Sequence, residues 1–107
     1  MIESQIKAEI KSYLKDSGIY FTMVTGGAYG VTGSPDIIAC VKGKFLAIEG
    51  KTYRGKQSGW QKTRQKEIED SGGKYIIART VADVVGAVQD LLWEDIDVLR
   101  GRGQADP

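Results

Sequence analysis

The chain contains no histidine and only one cysteine, Cys40. The absence of histidine excludes serine–histidine triads, histidine general bases and histidine-ligated zinc. One cysteine cannot form an internal disulfide or a thiolate zinc site, and we expect a reducing, cytoplasmic location. Any catalysis must therefore rest on carboxylates, lysine, hydroxyl groups or a metal bound through oxygen.

Long apolar stretches are also missing. No run approaches the ~18–20 residues of a membrane span, and the N-terminus lacks the pattern of a signal peptide. With 107 residues, 41% of them hydrophobic and 27% charged, the chain is typical of one soluble domain with a single core. We expect no membrane association.

The formal net charge of +1 conceals an uneven distribution of charge along the chain. Glu49 is the one acidic residue between positions 42 and 66, where the basic residues are Lys42, Lys44, Lys51, Arg54, Lys56, Lys62, Arg64 and Lys66. Positions 80–99 carry no lysine or arginine, and the acidic residues there are Asp83, Asp90, Glu94, Asp95 and Asp97. This asymmetry predicts a polyanionic partner for the basic part. A merely solvated charged surface is the alternative.

The central stretch, residues 33–51, reads as two β-strands joined by a tight turn at Lys42-Gly43. A two-residue turn predicts an antiparallel hairpin with the pairs Val41–Lys44, Ile38–Ala47 and Asp36–Glu49. Opposed carboxylates repel, so this register predicts a cation between Asp36 and Glu49. Mg²⁺ suits oxygen ligands, and Lys51 follows Glu49 on the same face. The pattern therefore indicates a site for metal-assisted phosphodiester hydrolysis.

The N-terminal part predicts a helix over Ile2–Ser17, ended by Gly18. Glu3 falls inside the apolar arc of that helix, where a carboxylate is costly unless it is paired or coordinated. The alternative for Glu3 is a frayed first-turn residue favoured by the helix dipole. A strand over 19–25 and a glycine-rich, flexible loop over 26–33 follow, and the loop fits no phosphate-binding fingerprint.

After Lys51 the sequence predicts a basic loop and then a helix that runs from Ser58 to Ser71. Gln61 has capping-box spacing from Ser58, so reciprocal capping is the structural alternative to a role in a site. A strand over 74–79, a final helix and a disordered tail over 100–107 complete one domain over 1–99. The predicted order α-β-β-β-α-β-α indicates an α/β fold with a small mixed sheet flanked by helices.

These residues resemble a family. Pro35-Asp36 followed by Glu49-Gly50-Lys51 is similar to the signature of the PD-(D/E)XK nucleases, which share a restriction-endonuclease-like αβββαβ core. The resemblance is closer to the VRR-NUC domains, and it extends from Ile2 to about Leu92. The residues that carry it are Glu3, Gly33-Ser34-Pro35-Asp36, Glu49-Gly50-Lys51 and Gln61. One departure is Gly50, where a larger apolar residue is usual; we expect a side chain there to point away from the site.

The resemblance implies a metal site and a role for each motif residue. The ligands it implies for Mg²⁺ or Mn²⁺ are Asp36, Glu49, Glu3 and the carbonyl of Gly50. Lys51 would orient the attacking water or offset charge on the phosphorane, and Gln61 would position the water or a phosphate oxygen. The residues expected to hold the DNA backbone are Tyr53, Arg54, Lys56, Lys62 and Arg64.

The resemblance also implies a substrate and an assembly. A standalone domain of this size is similar to short phage and bacterial members, which resemble Holliday-junction resolvases and tend to be homodimers. We therefore expect a Mg²⁺- or Mn²⁺-dependent DNA endonuclease that is selective for four-way or related branched DNA. A basic DNA-binding module with a degenerate site and a purely structural hairpin are the two alternatives.

Overall fold

The structure is a computed structural model that describes residues 2–25 and 31–105, with side chains described as far as position 94. Its elements are α1 (Glu3–Asp16), β1 (Tyr20–Met23), β2 (Ile37–Val41), β3 (Lys44–Gly50), α2 (Gly59–Asp70), β4 (Lys74–Ala78) and α3 (Val81–Ala105). The strands form one sheet in the order β1-β2-β3-β4. β1, β2 and β3 are antiparallel, and β4 runs parallel to β3. The predicted element order and the small mixed sheet are confirmed.

The predicted hairpin of β2 and β3 is present, with Val41 opposite Lys44 and Ile38 opposite Ala47. Both turn residues have positive φ, 51° at Lys42 and 84° at Gly43. A turn of this kind matches the twist of the two strands, which explains the tight connection. The ladder ends at the pair Ile37–Ile48, so Asp36 lies one step beyond the last pair.

The apolar core lies on one face of the sheet, beneath α1 and α3. It includes Ile6, Ile10 and Leu14 from α1, Val84, Ala87, Val88 and Leu91 from α3, and Ile37, Leu46 and Ile48 from the strands. Side chains alternate along a strand, so Ala47 and Glu49 of β3 face the opposite side, where Gln61 of α2 contacts Glu49. Both faces of β3 are therefore covered, which is why Ala47 and Glu49 are buried as completely as Leu46.

α3 is longer than the sequence predicts. It continues to Ala105, whereas the sequence predicts a disordered tail from Arg100. Gly101 and Gly103 weaken a helix by about 1 kcal/mol each, but neither removes a backbone donor, and no proline occurs between Val81 and Ala105. Positions 106 and 107 lie outside the described residues, as does most of the predicted flexible loop, at 26–30. Within the described part, no helix has the length and apolar character needed to cross a bilayer.

Candidate metal centre

Three carboxylates from three different elements meet at one end of the hairpin. Glu3 is the first residue of α1, Asp36 directly precedes β2, and Glu49 is the penultimate residue of β3. One oxygen from each lies within 4.8 Å of the other two. The structure thus brings together the three acidic residues that the sequence predicts. It also favours the interpretation of Glu3 as a member of the cluster over that of a frayed end.

Glu49 is the buried member of the cluster, with 2% of its surface exposed. Its Oε1 accepts a hydrogen bond of 2.9 Å from Nε2 of Gln61, while Oε2 is buried without a hydrogen-bond donor among the described residues. Burial, and then the neighbouring Asp36 carboxylate, raise the pKa of Glu49 to about 8, while Lys51 opposes the shift. A buried carboxylate with an unpartnered oxygen is costly unless it is protonated or neutralised by a cation.

Asp36 is fixed by backbone contacts as well as by charge. Its Oδ2 accepts a hydrogen bond of 2.8 Å from the amide of Gly50, and its carbonyl accepts one of 2.8 Å from the amide of Val24. Its Oδ1 lies 3.7 Å from Nζ of Lys7. The carbonyl of Asp36 therefore contacts the segment after β1, and its side chain contacts the end of β3 and α1.

Lys7 is a member of this site that the sequence analysis misses. It follows Glu3 by four residues, a spacing that places both side chains on one side of α1. The apolar side of α1, formed by Ile6, Ile10 and Leu14, does not include Lys7, so the periodicity of the helix gives no reason to select it. The spacing from Glu3 was the signal that would have found Lys7.

Gly50 owes its identity to Lys7. A Cβ atom on Gly50 would lie 3.1 Å from Cγ of Lys7 and 3.5 Å from Oδ2 of Asp36. The expectation that a side chain here would point away from the site is therefore wrong, because Lys7 of α1 and the Asp36 carboxylate both border that space. The absence of a side chain leaves room for the Lys7 stem. The metal-binding role of the Gly50 carbonyl stays a prediction.

Gln61 forms the capping box and also contacts the carboxylate cluster. Its Oε1 accepts a hydrogen bond of 2.8 Å from the amide of Ser58, and Oγ of Ser58 accepts one of 3.1 Å from the amide of Gln61. The capping box thereby orients the side-chain amide, so that its NH₂ group donates to Glu49. The bond that orients the Gln61 side chain comes from the backbone amide of Ser58 and not from its hydroxyl.

Lys51 contributes charge next to the cluster. Its amide donates a hydrogen bond of 3.0 Å to the carbonyl of Ala78, which extends the pairing of β3 and β4. The stem packs close to Gly55, where an added Cβ would lie 3.4 Å from both Cβ and Cδ of Lys51. Its positive charge lowers the pKa of Glu49 against the effect of burial. Lys51 is thus within electrostatic reach of the carboxylates, as predicted from its position after Glu49.

A second buried oxygen without a partner among the described residues belongs to Tyr75. Tyr75 pairs with Ala47 across β3 and β4, so its side chain lies on the same face as that of Glu49. Burial raises the pKa of Tyr75 above its ordinary value of 10.0, and the charges of Glu49 and Asp36 add to the shift. The phenol therefore stays neutral at physiological pH and can donate a proton to a hydrogen bond.

The basic loop that follows Lys51 is held in place by Arg79. Nη1 of Arg79 donates to the carbonyls of Thr52, Tyr53 and Gly55, at 3.2 Å for Tyr53 and 2.8 Å for Gly55. This anchor leaves the Tyr53 side chain 87% exposed. Arg79 lies at the end of β4, far from the loop in sequence, and the analysis of motifs gave no reason to select it.

The five residues predicted to bind DNA divide into two groups. Tyr53, Arg54, Lys56 and Lys62 are exposed. Arg64 is tied down: Nε donates a hydrogen bond of 3.1 Å to the carbonyl of Thr32, and Nη1 pairs with Glu67. Arg64 therefore braces α2 against the segment that leads to Asp36, and its charge is already partly neutralised.

Comparisons with known proteins give one result for structure and none for sequence. No family model and no curated protein matches the chain. A solved structure of a VRR_NUC domain superimposes with a TM-score of 0.68 at 15% identity, covering 81% of this chain and 94% of that one. The chain shares its fold with a VRR-NUC domain. A likeness at this identity shows the fold alone, and the VRR-NUC resemblance drawn from the motif residues agrees with it.

Proposed function

We propose that the protein is a metal-dependent deoxyribonuclease that hydrolyses phosphodiester bonds. The observation that carries the proposal is the buried Oε2 of Glu49, which lacks a partner among the described residues and belongs to a cluster with Asp36 and Glu3. The cluster also lies beside the first turns of α1 and α2, where helix dipoles favour negative charge. The VRR-NUC fold supports the same proposal.

The donor set fits a hard divalent cation. Asp36 and Glu49 would hold Mg²⁺ or Mn²⁺, with Glu3 and the Gly50 carbonyl as further ligands, because carboxylate and carbonyl oxygens suit these ions. Such a cation, when bound, acts as a Lewis acid on phosphate and lowers the pKa of its water. The remaining steps depend on the chain's own side chains.

Lys51 and Gln61 are the residues proposed to act beside the cation. The ammonium of Lys51 would orient the attacking water or offset the charge that develops on the phosphorane. Gln61 would position the water or a phosphate oxygen with the amide that its cap holds in place. Because the capping box fixes this donor before substrate arrives, little reorganisation is needed during the reaction.

Substrate binding is proposed to involve the exposed basic loop and the start of α2. Tyr53, Arg54, Lys56 and Lys62 would contact the sugar-phosphate backbone, which carries no base information, and Arg64 would make a weaker contribution. Affinity should then fall steeply with salt. Selectivity for four-way or related branched DNA, and a homodimer with two sites related by a two-fold axis, complete the proposal.

The test is a cleavage assay on plasmid, linear, splayed-arm, flap and four-way substrates with Mg²⁺, Mn²⁺ or EDTA. Asp36→Asn is expected to lower the cleavage rate about a thousandfold, because several kcal/mol of charge stabilisation depend on the bound ion. The same variant should lose the thermal stabilisation that Mn²⁺ confers. Glu9→Gln is the matched control, since Glu9 is an exposed acid of α1 outside the cluster.

The Lys7–Asp36 contact favours a second candidate, a DNA-binding module whose site no longer needs a metal. An ammonium 3.7 Å from Oδ1 of Asp36 already supplies positive charge to the cluster. Under this alternative the wild-type protein binds DNA with a salt-dependent affinity, gains no stability from Mn²⁺ and leaves every substrate uncut. Cleavage that disappears in both Asp36→Asn and Lys51→Met, with folding intact, rejects it.

A further inference from the structure

Trp60 occupies an unusual position for a large aromatic residue. It lies in the first turn of α2, directly before Gln61, which contacts Glu49. The structure leaves 57% of its surface exposed. Exposing that much of an indole ring to water is unfavourable, which favours a function for the exposed ring.

The backbone of Trp60 is pressed against the segment that leads to Asp36. A Cβ atom on Gly33 would lie only 2.4 Å from the carbonyl carbon of Trp60 and 2.7 Å from its Cβ. Gly33 also has a φ of 81°, which favours glycine. Trp60 is therefore fixed to both sides of the metal centre, through Gly33 towards Asp36 and through Gln61 towards Glu49.

The indole ring is held by a cation that is itself anchored. The guanidinium carbon of Arg64 lies 5.5 Å from the centroid of the Trp60 ring. Arg64 also donates to the carbonyl of Thr32 and pairs with Glu67. These contacts restrict the ring before any ligand binds, and such preorganisation lowers the entropic cost of binding.

The geometry points to Trp60 as a stacking platform for an unpaired DNA base next to the carboxylate cluster, so that DNA with a single-stranded segment is preferred. This inference rests on the proposed nuclease function and names its substrate class. Bases inside a duplex are stacked on their neighbours on both sides, whereas an unpaired base can offer its face to the indole.

Exposure by itself does not distinguish a stacking residue, and Trp93 shows why. Trp93 is 55% exposed, but it lies in α3, a different element from the one that contacts Glu49. Its neighbour Glu94 pairs with Lys44. Trp93 is therefore a matched control, an indole of similar exposure on another helix.

Fluorescence titration in EDTA tests the inference without cleavage. In Trp93→Phe the remaining indole is Trp60, and we expect an oligo-dT strand to quench its emission while a blunt duplex does not. In Trp60→Phe, which retains Trp93, neither DNA should quench. Trp60→Ala should weaken binding to oligo-dT by about 5- to 150-fold, the range of one lost stacking contact. Binding to the blunt duplex should change by less than about twofold, the effect of an exposed position outside the contact.

The outcomes separate this inference from the proposed function. Oligo-dT that binds without quenching Trp60, or a duplex that quenches it equally, overturns the inference even if Mn²⁺-dependent cleavage is present. Quenching by oligo-dT alone supports it, including in a protein that cleaves no substrate, in which case the nuclease proposal fails instead. The titration of Trp93→Phe leaves Trp60 intact, so it does not depend on how Trp60→Ala folds.

Discussion

α2 and α3 attach to the sheet in opposite ways. α3 buries Val84, Ala87, Val88 and Leu91 in the apolar core. None of the residues of α2 is fully buried by the described part of the chain. Instead α2 is held by specific polar contacts, from Gln61 to Glu49 and from Arg64 to the carbonyl of Thr32. α3 contributes stability through the apolar area that it buries, whereas α2 is positioned by a few directional hydrogen bonds.

This difference indicates how the molecule separates stability from chemistry. Apolar burial is non-directional and tolerates small shifts, whereas a hydrogen bond loses strength rapidly as its geometry changes. Because α2 is fixed by its contacts with the carboxylate cluster, its position depends on the state of that cluster. We therefore expect changes in α3 to affect unfolding alone, and changes in α2 to affect metal and DNA binding as well.

The largest expected effect is on stability, from Leu91→Ala in α3. Removing this buried side chain should lower the free energy of unfolding by about 2–5 kcal/mol, measured by urea denaturation. The matched change in α2, Ile68→Ala, should cost less, because Ile68 is only half-buried. Cleavage per folded molecule should be unchanged in Leu91→Ala. A loss of metal affinity in that variant would contradict the proposed separation.

The next effect is the pH dependence of metal binding at Glu49. The pKa of Glu49 is raised to about 8 from 4.5, so the metal-free site holds a proton that a cation must displace. As the pH is raised towards about 8, the affinity for Mn²⁺, measured by calorimetry, should therefore increase about tenfold per pH unit. Above that pH the affinity should level off. An affinity that is flat between pH 6 and 8 would contradict a protonated Glu49.

The same shift predicts the opposite trend for the stability of the metal-free protein. A folded carboxyl whose pKa is raised binds a proton that the unfolded chain has released. The contribution of Glu49 is thus complete below about pH 4.5 and declines as the pH rises towards 8. Thermal unfolding of Glu49→Gln in EDTA should lack this decline, which isolates the contribution of Glu49 from other titrating groups.

The sequence predicted most of this arrangement, and the exceptions have a common physical cause. The turn at Lys42-Gly43 and the alternation of β2 and β3 fix the hairpin locally, so Asp36 and Glu49 could be paired in advance. Lys7 has one local signal, its spacing of four residues from Glu3, but its contact with Asp36 depends on how α1 packs against the sheet. Arg79 has no such signal, because its role depends on how β4 packs against the basic loop. Such contacts between distant segments leave no local periodicity to detect.

Gln61 makes a local contact, the cap with Ser58, and a contact with a distant segment, the hydrogen bond to Glu49. Two variants separate these contacts. Ser58→Ala removes a side-chain cap and should cost about 1 kcal/mol of unfolding free energy, with little change in metal affinity. Gln61→Leu removes the donor to Glu49 as well, and an unpaired buried acceptor adds about 1–3 kcal/mol to the loss. Gln61→Leu should also weaken Mn²⁺ binding, since Glu49 is no longer oriented. Equal behaviour of the two variants would reduce Gln61 to a capping residue.

The smallest effect concerns Lys7, whose ammonium competes with an incoming cation for Asp36. Lys7→Met should tighten Mn²⁺ binding about fivefold at low salt, because a partly exposed ion pair of this length contributes no more than about 1 kcal/mol. The gain should shrink as salt is added. Lys11→Met, an exposed lysine on the same helix, is the control. Weaker metal binding in Lys7→Met would mean instead that Lys7 holds Asp36 in the orientation that a cation needs. In that case Gly50→Ala, which crowds the Lys7 stem, should also weaken metal binding.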